Sequence, residues 1–240
     1  MPLPGDADSA DAILADVGTR TLDLLYRASL LTEAAVGEPS RLPGWTRGHV
    51  LAHLSDNADA FTRVLLRAVD ADDAGLMYPS REARDAAVES GASWLAAEHV
   101  RRLTSSAHRM ALVWHDLPAG RLAATVSGTA GWTRPVADVP WMRWRELALH
   151  AVDLGWPAGF APGDPLVARL LDEAAHAWAG RPDAPPMVLT DTTTGGTWQV
   201  GDGGPAIGGT TADLALWLTG RSDGSALSAS GALPALPPWL

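Results

Sequence analysis

The chain contains no cysteine, which excludes disulfides, thiolate metal ligands and an internal thiol nucleophile. Any thiol chemistry here must use a thiol that arrives as a cofactor. Lysine is absent too: all 18 basic residues are arginine, so a Schiff-base mechanism is excluded. No stretch approaches the ~18–20 uninterrupted apolar residues of a membrane-spanning helix. The N-terminal "MPLPGDADSADAIL" lacks the basic start and apolar run of a secretory signal. Positive charge is scarce overall, because 28 acidic against 18 basic residues give a formal net charge of −10. That balance argues against a nucleic-acid or anionic-membrane partner. It also repels anionic substrates, so a carboxylate-binding site would need locally placed arginines. A cytoplasmic protein with no evident obligate protein partner is expected.

What is present describes a globular chain. Its 240 residues, 47 % hydrophobic and 19 % charged, fit one large domain or two modest ones. Apolar residues at helical spacing (Ile13, Leu14, Val17, Leu22, Leu24, Leu25, Leu30, Leu31) predict a first helix from about Asp6 to Ala35. "LPGW" breaks the chain, and Thr46 is a suitable N-cap for a second helix reaching about Val69. "DADDAGLMYPSREARDAAVESGAS" reads as a long loop with a short helix after Ser80. A third long helix is expected from about Trp94 to His115, then a hairpin segment around Val126–Arg134, then a fourth long helix from Pro140 to near Gly155. Four helices of this length suggest a bundle.

After Gly155 the character changes. "PGDPLVARLLDEAAHAWAG" is another amphipathic helix, followed by β-like runs "PMVLTD", "TWQVGD" and "PAIGG". "TTADLALWLTGR" looks like a capped helix with Gly220 as its C′ residue, and a strand and an ordered tail close the chain. The Gly-rich "GDGGPAIGGTTADL" has neither a dinucleotide fingerprint nor a Walker lysine and reads as hairpin turns. The fold class expected is α+β: a four-helix bundle over residues 1–158 and a small α+β domain over residues 159–240, with no internal repeat.

Two spaced pairs carry the chemistry. His49 and His53 lie four apart on the second long helix, and Glu146 and His150 lie four apart on the fourth. Each spacing puts both members on one side of a helix. One or two residues of the first pair with Glu146 and His150 would form a three-ligand site, which leaves a metal an open coordination position. Spacing alone does not choose between His49 and His53. Asn57 and Asp153 follow on the same faces, where polar groups orient imidazole ligands. His99, His108, His115 and His176 have no partner spacing and read as ordinary helix or core residues. The eleven tryptophans are mainly packing, with Trp45, Trp141 and Trp144 flanking the metal helices.

"LPGWTRGHVLAHLSDNADAF", "MYPSREARDA", "PWMRWRELALHAVDLG" and "LWLTGRSDG", in that order, resemble the mycothiol-dependent maleylpyruvate isomerases of the DinB-like superfamily of four-helix-bundle metalloenzymes. The resemblance runs essentially end to end, as far as the final "PPWL". It implies zinc bound by His53, Glu146 and His150, with His49 outside the ligand set. It implies catalytic roles for Arg84 and, from the C-terminal domain, Arg221, which would bind the carboxylates of a small dicarboxylate substrate. The implied cofactors are zinc and mycothiol.

The implied reaction turns maleylpyruvate into fumarylpyruvate, a step of gentisate-type aromatic breakdown. A C=C bond does not rotate at ambient temperature, and reversible thiolate addition makes it temporarily single. A mycothiol S-transferase acting on an electrophile is the alternative, with Arg84 and Arg221 as the discriminating residues. A hydrolase using a zinc-activated water would not need thiol. A non-catalytic binding module would be metal-free.

Overall fold

The apolar stripe at the start of the chain forms α1 (Ala7–Ser29), which buries Ile13, Val17, Leu24 and Ala28. The structure is a computed structural model describing residues 7–239 and, within them, all side chains but those of residues 7–9 and 11. The expected helix start at Asp6 and the residues before it lie outside the described residues. Helix α1 stops short of the expected Ala35, because Thr32 opens a separate short helix, α2 (Glu33–Gly37). The Thr32 hydroxyl accepts from the Ala35 N–H at 3.2 Å, and a capping side chain favours a helix start over a helix interior.

Helix α3 (Arg47–Ala68) starts at Thr46 as expected and is buried along most of its length. The long loop after it holds a strand the sequence reading missed, β1 (Asp73–Leu76). It also holds a three-turn helix, α4 (Arg81–Ala92), whose N-cap Ser80 accepts from the Ala83 N–H. Next come α5 (Ala96–His115), the hairpin β2 (Thr125–Ser127) and β3 (Thr133–Pro135), and α6 (Val139–Asp153) with Pro140 in its first turn. Strand β1 pairs parallel with β2.

Helices α1, α3, α5 and α6 form a ring: α3 packs on α5 and α6, and α1 packs on the same two. Phe61, Val64 and Leu65 of α3, Met110 of α5 and Met142 of α6 meet in the core. Trp141 and Trp144 stack with ring centroids 5.2 Å apart and are fully buried. The Trp144 Nε1–H donates to Asp16 on α1 at 2.6 Å. These two rings therefore join α6 to the core and to α1.

Contacts divide the chain into a unit ending at Pro157 and a second starting at Ala158. The second holds α7 (Pro165–Ala179), β4 (Met187–Asp191), β5 (Thr197–Val200), β6 (Ala206–Gly209), α8 (Thr211–Leu218) and the two-residue β7 (Ser228–Ala229). Its sheet order is β5-β4-β6-β7, with β4 and β6 parallel. The Gly-rich run is thus not a hairpin: β5 and β6 lie on opposite sides of β4, and the chain crosses the start of β4 between them. Gly204, at φ +92°, makes that crossing possible, because a Cβ there would sit 2.0 Å from the Pro186 carbonyl oxygen. Helix α8 ends as expected at Gly220 (φ +74°). The Gly220 N–H donates to the Trp217 carbonyl and the Arg221 N–H to the Leu216 carbonyl, a Schellman closure. Among the described residues no helix is long and apolar enough to cross a membrane.

Candidate metal centre

Glu146 and His150 lie one turn apart on α6, facing His53 of α3. The His53 Nε2 is 2.8 Å from Glu146 Oε2, and the His150 Nε2 is 3.3 Å from the same oxygen. The two imidazoles meet edge to face, with centroids 4.7 Å apart. One donor atom from each of the three residues lies within 4.8 Å of the others. The His53 side chain is 4 % exposed, against 12 % for His150 and 22 % for Glu146, so His53 is the most deeply buried of the three.

The protonation chemistry suits a divalent cation. Burial pushes the His53 imidazole down to about 4, helped by the charges of His150 and Arg84 and opposed by Glu146. His53 is therefore neutral at physiological pH. Burial opposes ionisation of Glu146, but hydrogen bonds from His150 and His53 outweigh it and hold the carboxyl well below its usual range. Burial also disfavours the His150 cation, but the bonds to Asp153 and Glu146 overcome it and raise the pKa. The His150 Nδ1 is 2.8 Å from Asp153 Oδ2, which leaves Nε2 facing the cluster. Two ring nitrogens can converge on one carboxylate oxygen only with a proton on each or with a metal that displaces those protons. Two neutral imidazoles and a carboxylate are a zinc-type donor set. The residues present fit the metal.

His49 lies outside this cluster, and the structure gives it another role. Its Nδ1 accepts from the Thr46 N–H at 3.1 Å while the Thr46 hydroxyl accepts from the His49 N–H. This is a capping box with histidine in the place usually taken by Glu or Gln. An accepting Nδ1 puts the ring proton on Nε2, which faces Glu89 of α4 at 3.2 Å. Asn57 does not orient an imidazole; it accepts from Arg143 at 2.9 Å. Asp153 does contact one.

Arg84, in the first turn of α4, stands beside the cluster. Its guanidinium lies 5.8 Å from the ring centroid of Trp45, and Trp45 in turn stacks on His49 and lies 5.8 Å from His53. An ion pair with Asp85 at 2.8 Å occupies one Arg84 nitrogen. Arg221 belongs to the C-terminal unit, where it follows Gly220 and donates to the Thr219 carbonyl at 2.6 Å.

Three polar residues near the cluster escaped the sequence reading. The Tyr78 hydroxyl and Asp56 Oδ2 are buried beside one another, and burial raises the Asp56 carboxyl above its usual range. Asp56 follows His53 by three, so helical spacing was the available signal. The third, Arg143, is fully buried.

The sequence model for the mycothiol maleylpyruvate isomerase N-terminal domain matches residues 14–155. The model for the corresponding C-terminal domain matches residues 165–238. Among solved structures, the fold is similar to the mycothiol-dependent maleylpyruvate isomerase and to a histidine-to-alanine mutant of it, with TM-scores of 0.86 and 0.87. Both are 27 % identical, over 96 % of this chain and 97 % of theirs. No curated protein matches significantly.

Proposed function

The chain belongs to the mycothiol maleylpyruvate isomerase family, and on that premise we propose that it converts maleylpyruvate to fumarylpyruvate, with zinc on His53, Glu146 and His150 and mycothiol as the thiol. The observation that carries this reading is the convergence of two imidazole Nε2 atoms on Glu146 Oε2, with Arg84 beside them.

When bound at His53, Glu146 and His150, zinc with mycothiol would supply a thiolate at neutral pH, the nucleophile that reversible addition to a conjugated C=C bond requires. The chain has no thiol of its own, so this part of the reaction must be borrowed. Its own residues hold and polarise. His53 and Glu146 present a neutral and an anionic donor, and Asp153 fixes the His150 ring. Arg84 would grip a substrate carboxylate and stabilise negative charge developing on the conjugated carbonyl. Arg221 is assigned the second carboxylate on the strength of its motif. No protein group need keep a proton, because thiolate is both consumed and returned. Trp45 supplies an apolar wall next to His53, which strengthens nearby electrostatic contacts by excluding water.

Spectrophotometric conversion of maleylpyruvate, with and without mycothiol, tests the reading in the wild type and in His53→Ala. Thiol-dependent turnover that disappears in the variant supports it. A zinc-loaded protein that leaves maleylpyruvate unchanged in the presence of mycothiol overturns it, and conjugation of a neutral electrophile under the same conditions would favour the S-transferase.

A further inference from the structure

Arginine is an unexpected side chain in an apolar helix interface, because its guanidinium does not shed its charge. Arg143 of α6 is nonetheless 1 % exposed. Its Nη1 donates to the Leu54 carbonyl at 2.8 Å and to Asn57 Oδ1 at 2.9 Å, both on α3. Burial lowers its pKa to about 10 while the Glu146 charge pulls the other way, so it stays a cation at neutral pH. A charge buried this deeply destabilises the fold unless hydrogen bonds hold it. Plain packing between α3 and α6 would be better served by an apolar residue.

The position of this contact explains its presence. Arg143 precedes Glu146 by three residues and His150 by seven, so all three share one stripe of α6. Asn57 follows His53 by four on α3, and Leu54 is the residue after His53. The Arg143–Asn57 contact therefore lies one turn from the His53–Glu146 contact, across the same two helices. Apolar side chains slide over one another with little directional preference, whereas a guanidinium held by a backbone carbonyl and an amide oxygen has one register.

We infer that Arg143 is a positioning residue for the metal-donor cluster: held by Leu54 and Asn57, it sets the α3–α6 register that brings His53 onto Glu146. This rests on the cluster being the metal site of the proposed function. The nature of the test keeps the two separable, because it reads metal affinity and ligand geometry rather than turnover.

The variants are Arg143→Met, Arg143→Lys and Asn57→Ala in the full chain. Zinc affinity is measured by competition with a chromophoric chelator, and cobalt is substituted to read ligand geometry from its visible spectrum. Circular dichroism and thermal melting check the fold. Arg143→Met and Asn57→Ala should stay helical, bind zinc about 10- to 100-fold more weakly and shift the cobalt spectrum. Arg143→Lys keeps the charge but not the planar guanidinium, and should resemble Arg143→Met. Folded variants with zinc affinity within about twofold of wild type and an unchanged cobalt spectrum would overturn the inference. So would full rescue by lysine, which would make the charge, not the register, the contribution. If Arg143→Met does not fold, Asn57→Ala decides by the same criteria. A wild type that binds zinc but does not isomerise maleylpyruvate defeats the proposed function and leaves this inference standing.

Discussion

Asp153 Oδ2 lies 2.8 Å from the His150 Nδ1, three residues further along the same helix, and so determines which nitrogen of that ring faces Glu146. A carboxylate behind a ligating histidine fixes its tautomer and raises its basicity. Asp153→Asn should therefore weaken zinc binding about 10- to 100-fold, measured by chelator competition, with little change in helix content. Unchanged affinity would reduce Asp153 to a packing residue.

Arg84 makes a charge-dependent prediction. Arg84→Met should lower kcat/KM for maleylpyruvate by on the order of 100-fold, the usual loss when a donor to developing negative charge is removed. Zinc affinity should stay near the wild-type value, since Arg84 faces the cluster without donating to it. A variant with normal steady-state kinetics would remove Arg84 from the substrate site.

His49 offers the converse. As the N3 residue of a capping box, its loss should destabilise the fold by about 0.5–1.5 kcal/mol, the net worth of one hydrogen bond, without removing a donor of the proposed metal set. Urea denaturation and zinc titration of His49→Ala should show a lowered midpoint and an affinity within about twofold of wild type. If instead zinc is lost while the midpoint holds, His49 belongs to the ligand set.

His99 gives the fold an acid-sensitive point away from the candidate metal cluster. It is 1 % exposed, and neither ring nitrogen has a hydrogen-bond partner among the described residues. Burial lowers its pKa to about 4, with Glu33 and Glu98 opposing and Arg102 assisting. The folded chain thus resists protonating a ring that, unfolded, takes a proton near pH 6.5. The resulting stability is complete above about pH 6.5 and is lost progressively as the pH falls toward 4. Urea midpoints measured across that range should fall less steeply for His99→Leu than for wild type. Parallel curves would show that His99 does not titrate in this way.

Much of the site was legible because helical spacing is a strong signal. Glu146 with His150, and His53 across from them, follow from a period of 3.6 residues and from motif resemblance. The choice of His53 over His49 was not available from spacing, since both lie on the same face of α3. Thr46 three residues before His49 was the clue, obscured because histidine seldom closes a capping box. The helix break at Thr32 was hidden by an apolar pattern that continues through Leu30 and Leu31. Strand β1 is four residues long and depends on a distant partner, β2, which no local pattern announces. Arg143 was overlooked for a general reason: arginine is almost always exposed, and only three-dimensional structure shows where that rule fails.

The approach of α3 to α4 has a consequence for what the site can measure. A Cβ on Gly48 would lie 2.2 Å from the Ala92 carbonyl oxygen, and one on Gly91 would lie 2.7 Å from the Ala52 Cβ. The helix that carries His53 and the helix that carries Arg84 thus approach closely at these two glycines, with no room there for a larger side chain. On the proposed role of Arg84, this close packing makes the distance from the candidate metal donors to Arg84 a ruler of set length rather than an adjustable clamp. Saturated diacids of graded length, tried as competitive inhibitors, should show one sharp optimum, and widening the ruler with Gly91→Ala should shift that optimum toward longer acids.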